Sequence, residues 1–160
     1  MMEPRRHGGF TLIELMVTLT ILALLASVAV PITRITATRS REAELQRSLA
    51  QIRSALDQYK VAADAGHISK SIDDSGYPAS LFVLAEGVVD AKDPAGERLY
   101  FLRRVPRDPM CACPELRNEE TWGVRSYASS ADDPQEGRDV FDVYSRSPSA
   151  GLDSRPYRDW

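Results

Sequence analysis

An unbroken apolar run from Phe10 to Val30, with Glu14 as its only charged residue, constrains this chain more than any other feature. As a helix, about 20 such residues cross a hydrocarbon core of about 30 Å. A carboxylate inside such a run costs about 2.5–3.5 kcal/mol at mid-helix. Glu14 is therefore a functional residue by default, and it needs a partner. The run follows a short basic stretch, Met1 to Gly9, which carries Arg5 and Arg6 and ends on a small residue. A secretory signal would have a shorter apolar region and an A-x-A-like site. Ala26-Ser27-Val28-Ala29 imitates that site loosely but leaves Glu14 unexplained, so that reading is rejected. Arg34, Arg39 and Arg41 follow the run as closely as Arg5 and Arg6 precede it, and counting cations does not set the topology.

The chain has 160 residues, room for one domain plus an anchor. Its formal charge of −3 argues against nucleic acid as the main partner, because phosphate binding needs a basic face. Two cysteines are too few for a disulfide-stapled scaffold, so the part after the apolar run must fold on its own core.

Beyond Pro31, apolar residues recur at Leu45, Leu49, Ile52, Leu56 and Tyr59, steps that trace one face of a helix. Arg41, Glu44, Arg47, Arg53, Asp57 and Lys60 fill the other face, and Gly66 is a suitable stop. Residues 10–64 are thus expected to form one long helix, apolar all round at first and amphipathic afterwards. Pro31, lacking a backbone donor, should kink it or melt it locally. Ala65 to Tyr77 reads as a loop, and Pro78 opens a short helical stretch with Leu81, Phe82, Leu84 and Ala85 before Gly87. Val88 to Glu97 is expected to be a loop, and Leu99 to Leu102 a brief extended segment. The prolines at 106, 109 and 114 argue against regular structure in 103–118. Two strands are expected, at 122–128 and 140–145, with a polar connection between them and a Ser/Pro/Gly-rich tail from 147 to 160. Two strands alone are not a stable sheet, so they need the apolar face of the second helix half.

Cleavage after Gly9 would create a chain that starts at Phe10, with Glu14 as its fifth residue. Together with the basic leader, the apolar run and Pro31, this resembles the class III leader and N-terminal segment of the type IV pilin and pseudopilin superfamily. The resemblance implies a prepilin peptidase that cuts between Gly9 and Phe10 and methylates the Phe10 amine. It implies that Glu14 pairs with a neighbouring subunit's N-terminus during assembly, and that Phe10, Glu14 and Pro31 serve the filament. The rest of the chain is similar to major-pseudopilin-like subunits of type II secretion. That similarity rests on Tyr77-Pro78-x-x-Leu81, Pro106-Arg107-Asp108-Pro109, Trp122-Gly123-x-Arg125-Ser126, Phe141-Asp142-Val143-Tyr144-Ser145 and Tyr157-Arg158-Asp159-Trp160.

The expected fold is therefore α+β and pilin-like: a long N-terminal helix, transmembrane and then amphipathic, packed on a small antiparallel β-sheet. The implied organisation is a leader at 1–9, a transmembrane and assembly helix at 10–31, and a periplasmic globular domain at 32–160. The implied role is a structural subunit of a type II secretion pseudopilus, with a major or minor type IV pilin as the alternative. Its partners would be further copies in a homo-oligomeric filament, other pilins or pseudopilins, prepilin peptidase, the inner-membrane assembly platform and the membrane.

One departure concerns calcium. Major pseudopilins carry a calcium-binding loop near the C-terminus, with an Asp soon after the last strand's Ser. This chain has Arg146-Ser147-Pro148-Ser149-Ala150 there. Asp153 and Asp159 remain as oxygen sources, but calcium wants about six to eight ligands. A solvated tail, with no cofactor, is the favoured expectation. Cys111-Ala112-Cys113, in a proline-bounded loop, is a candidate disulfide, with spare thiols as the alternative. A metal site would need two more ligands, and His67 is the only histidine outside the leader. Trp122 and Trp160 read as packing groups whose N–H needs a partner if buried. Asp73-Asp74 and Asp132-Asp133 read as solvated loops. No G-x-S-x-G, H-E-x-x-H or Gly-rich phosphate loop is present, and no catalytic set emerges. A membrane-tethered enzyme or ligand-binding module is the rival from another class, and it lacks a recognisable site.

Overall fold

A computed structural model describes residues 10–160, with the side chains of residues 28–34 outside the described set. Residues 1–9, and with them the expected leader and Gly9, lie outside the described residues. The chain divides into two compact units between Arg39 and Ser40. The helix α1, Leu12–Asp64, contributes to both.

In the first unit, α1 begins as Thr11 caps it: the Glu14 main-chain N–H donates to Thr11 Oγ1 at 3.2 Å. The Thr11 carbonyl accepts the first intrahelical bond, from Leu15 N–H, at 3.1 Å. Leu12, Ile13, Leu15, Met16, Val17, Leu19, Ile21, Leu22, Leu24 and Leu25 are all exposed, so the stretch from Leu12 to Leu25 is apolar around its whole circumference. Three hydroxyls of this stretch are satisfied within the helix. Thr18, Thr20 and Ser27 donate to the carbonyls of Leu15, Met16 and Leu24 at 2.9, 2.8 and 2.7 Å. That is the arrangement a helix needs where water is absent. Helical backbone continues through Pro31, so the expected local melting is not seen there. Among the described residues no helix is long and apolar enough to cross a membrane. The described side chains of this stretch end at Ser27, and the expected crossing runs on to Val30.

The second unit forms around the later part of α1. Leu45, Leu49, Ile52, Leu56 and Tyr59 are buried, as their spacing requires, and Ala55 and Ala63 join the same face. Against it pack Leu81 and Leu84 of α2 (Leu81–Glu86), together with Leu102, Val105, Trp122, Val140, Val143 and Tyr157. The helix stops at a Schellman-type cap. Gly66, at φ 82°, donates to Ala63 O at 3.0 Å, and His67 N–H donates to Ala62 O at 2.9 Å.

The fold is α+β, with its strands in two separate antiparallel pairs. Strand β1 (Val88–Val89) pairs with β2 (Arg98–Leu99), Val88 opposite Leu99. This small hairpin replaces the loop expected over 88–97. Asp93 holds its turn by accepting the N–H groups of Ala95 and Glu97 at 3.0 and 2.8 Å. The extended segment expected through Leu102 pairs only as far as Leu99, because the N–H groups of Phe101 and Leu102 turn to Leu84 O. Strand β3 (Trp122–Arg125) pairs with β4 (Asp142–Ser145), Trp122 opposite Ser145. Both are shorter than their sequence pattern. Ser126 N–H goes to Gln135 O and Tyr127 N–H to Asp139 Oδ1, which ends the ladder at Arg125. Val140 N–H donates to Pro78 O, so β4 starts two residues later. Residues 103–117 form no regular element, as the prolines predict, and a 3-10 turn at Asn118–Thr121 leads into β3.

Candidate assembly site

The start of α1 carries the residues on which assembly is expected to depend. Phe10 is 83 % exposed, and Glu14 is exposed one helical turn after it. Thr11-x-x-Glu14 has the spacing of a capping box. Only the Thr11 half forms, since the carboxylate of Glu14 makes no hydrogen bond or ion pair among the described residues. The main chain of Glu14 is thus used locally while its acid stays available. Pro31 lies where the backbone is helical, with its side chain outside the described set, and Gly9 lies outside the described residues altogether.

In the second unit the structure brings together residues that the sequence left scattered. Asp108, of Pro106-Arg107-Asp108-Pro109, is 1 % exposed. Its Oδ1 accepts Met110 N–H at 2.8 Å, and its Oδ2 accepts the Ser145 hydroxyl of β4 at 2.6 Å. Asp108 N–H donates to the buried Thr121 Oγ1 at 3.1 Å, and that hydroxyl donates to Asn118 O at 2.7 Å. Trp122 Nε1 donates to Pro106 O at 2.8 Å, and Asn118 Nδ2 to Val105 O at 3.0 Å. An irregular loop is thereby fastened to both strands of the larger pair. Sequence reasoning treated this motif only as a mark of resemblance. Its one local sign was a carboxylate among prolines.

Cys111 and Cys113 are joined as a disulfide in this loop. Arg107 spans it, donating to the carbonyls of Cys113 and Leu116, the latter at 2.8 Å. His67 Nδ1 lies 2.9 Å from both carboxylate oxygens of Asp90, and Ala91 N–H donates to His67 O, which ties the end of α1 to the β1–β2 hairpin. The Asp90 carboxyl is held below the usual carboxylate range, first by the Lys92 main-chain N–H and then by the His67 ring. Among the described residues no group of three or more His, Cys, Asp or Glu side chains could hold a metal ion.

The tail docks onto α1. Arg53 Nε donates to Asp142 Oδ1 at 2.8 Å, and its Nη2 to the main-chain oxygens of Val143 and Trp160 at 3.1 and 2.9 Å. Glu42 Oε1 accepts Leu152 N–H at 2.8 Å and the Tyr157 hydroxyl at 3.1 Å. Burial, reinforced by that bond to Glu42, raises the Tyr157 hydroxyl above its ordinary pKa. Most of the tail is exposed, as composition suggests, and it is anchored at Tyr157, 4 % exposed with its ring edge-on to Trp160. Trp122 finds the partner its N–H requires. Trp160 Nε1 is buried without one.

Known proteins match this sequence near its N-terminus and over most of its length. The family model described as the prokaryotic N-terminal methylation motif matches residues 4–30. Type II secretion system core protein G of Klebsiella michiganensis is 28 % identical over 142 residues, covering 86 % of this chain and 92 % of that protein. The proteins of the same name from Aeromonas hydrophila and Dickeya chrysanthemi are 30 % and 32 % identical over 112 residues. Each match covers 68 % of this chain, with 71 % and 66 % of the respective relative. No solved structure matches. With identity at this level running through most of the chain, from the apolar helix into the unit that folds around Asp108, the chain belongs to the family of type II secretion system core protein G.

Proposed function

We propose that this chain is a non-catalytic structural subunit of a type II secretion pseudopilus. It is inserted in the inner membrane with its second unit in the periplasm, cut between Gly9 and Phe10, methylated at Phe10 and assembled into a helical filament. The observation that carries this reading is the pairing of an all-round apolar stretch, Leu12 to Leu25, with a Glu14 carboxylate that has no partner among the described residues. Cleavage creates an amine at Phe10, and the carboxylate of one copy can neutralise the amine of the next. In a low-dielectric setting such a pair attracts strongly, while each charge alone carries a desolvation cost of several kcal/mol. An unpaired Glu14 thus penalises the isolated subunit, and docking onto a growing filament relieves the penalty. The apolar circumference supplies the burial that accompanies docking.

The test is peptide mass spectrometry of washed envelope and sheared surface material, for the parent and for Glu14→Leu. A methylated peptide that begins at Phe10, confined to the envelope, is expected for both proteins. Glu14→Leu should fail to cross-link into multimers. Normal incorporation of Glu14→Leu would refute the pairing, and an intact Met1–Gly9 leader in every fraction would refute processing. Abundant methylated peptide in the sheared fraction would favour a surface pilus instead.

A further inference from the structure

The family resemblance implies a calcium ion in the loop after the last strand, and the residues present here do not fit one. Calcium collects about six to eight oxygens. Here the oxygens that face one another across the tail are already bound to cationic or N–H donors. Arg53 gathers a carboxylate oxygen of Asp142 and the main-chain oxygens of Val143 and Trp160 around one guanidinium. Asp153 Oδ1 accepts Arg155 N–H at 3.0 Å, and Arg155 Nη2 donates to Asp159 O at 3.0 Å. The Asp159 carboxylate lies 3.7 Å from Arg158 Nε.

Gly151 is also closely packed. A Cβ placed on Gly151 would lie 2.6 Å from Trp160 Cζ2, 2.9 Å from Asp153 Oδ1 and 3.2 Å from Glu42 Oε1. The one buried polar side-chain atom left unpaired among the described residues, Trp160 Nε1, is a donor and cannot coordinate a cation. The loop is closed from within: Gly151 N–H donates to Arg155 O at 2.8 Å, and Tyr157 N–H to Ser149 O at 3.1 Å.

We propose that Arg53 takes the place of a divalent cation in this chain. Its guanidinium draws β4 and the C-terminal residue together, and Glu42 latches the loop between them through Leu152 and Tyr157. A planar cation with five donors suits this task, because it satisfies a carboxylate and two carbonyls in one fixed geometry. Folding of the second unit and docking of its tail are then independent of calcium. The inference goes beyond the assembly reading and does not depend on it, since it concerns how one subunit closes.

The experiment uses the full chain in detergent micelles, followed by isothermal titration calorimetry, thermal unfolding and hydrogen–deuterium exchange over residues 147–160. Calcium is taken from chelated levels to about 5 mM, above the range of weak extracellular calcium modules. The parent should show no saturable heat, and its Tm and tail protection should be the same in chelator and in calcium. Arg53→Gln should lower Tm by about 4 °C or more and speed exchange in the tail, whether or not calcium is present. Tyr157→Phe keeps the ring and removes only the Glu42 bond. It should speed tail exchange while leaving the fold intact, which keeps the inference testable if Arg53→Gln does not fold. Saturable calcium binding by the parent, tail protection that needs calcium, or unchanged tail exchange in Tyr157→Phe would overturn the proposal.

Discussion

Replacing Asp108 by Ala should weaken the second unit more than removal of one small polar side chain suggests. The carboxylate is 1 % exposed and accepts two hydrogen bonds, from Met110 N–H and from the Ser145 hydroxyl. Ser145 is fully buried, so its hydroxyl would lose its partner where water does not reach. Hydrogen bonds to a charged group contribute about 1.5–3 kcal/mol each. The sum of about 3–6 kcal/mol is reduced because Ala also removes the cost of holding a carboxylate in the interior, so a net loss of about 2–4 kcal/mol is expected. Against a typical domain stability of about 5–15 kcal/mol, this is a large fraction. For a unit of this size it corresponds to a fall in Tm of about 10 °C. Asp108→Asn is the control. Its carbonyl can still accept Met110 N–H and its amide can donate to Ser145 Oγ, but the Ser145 O–H loses its acceptor, so Asn should cost less than Ala by about 1 kcal/mol. Thermal unfolding of the full chain in micelles, followed by circular dichroism, reads both variants. If Asp108→Ala unfolds within about 1 °C of the parent, or if Asn costs as much as Ala, the hydrogen-bond account of this loop is wrong.

Gly123 sits opposite Tyr144 in the β3–β4 ladder, and a Cβ on it would lie 2.3 Å from Tyr144 Cζ. Gly123→Ala should therefore cost about 1–3 kcal/mol by overpacking, read as a lower urea midpoint, and an unchanged midpoint would show that the ring moves aside freely. Acid should also destabilise the fold with a definite sign. The carboxyls of Asp90 (Lys92 N–H, then His67), Glu120 (the Arg117 side chain, then its main chain) and Asp64 (Lys60, then Lys70) are all held below their ordinary values. Such groups contribute stability that is complete above the unfolded carboxylate value, about 4, and lost as pH falls through the lower folded values. Tm should thus stay flat down to about pH 5 and then fall. Asp90→Asn should soften that fall, and an identical acid limb would remove Asp90 from the explanation.

Sequence and tertiary structure divided this protein along a physical line. Sequence by itself determined what depends on local period and local chemistry. The apolar run with its single acid, the Leu45-to-Tyr59 stripe, the stop at Gly66 and the short helix before Gly87 are all legible, because a helix face repeats every three to four residues whatever it meets. Glu14 stood out as the one charge in the run, and Phe10 only through the resemblance that the leader carries. The β1–β2 hairpin was not legible, since two-residue strands carry no readable alternation. Each expected strand of the larger pair ran too long, because its pattern continues past the point where Ser126 and Val140 find other partners. What only tertiary structure decided are the contacts between residues far apart in the chain. Arg53 meets Asp142 and Trp160 across 89 and 107 positions, Glu42 meets Tyr157 across 115, and Asp108 meets Ser145 across 37. No period links such residues. Their hydrogen bonds exist because burying the helix face first brings the loop, the strands and the tail within about 3 Å of donors that would otherwise be left dry.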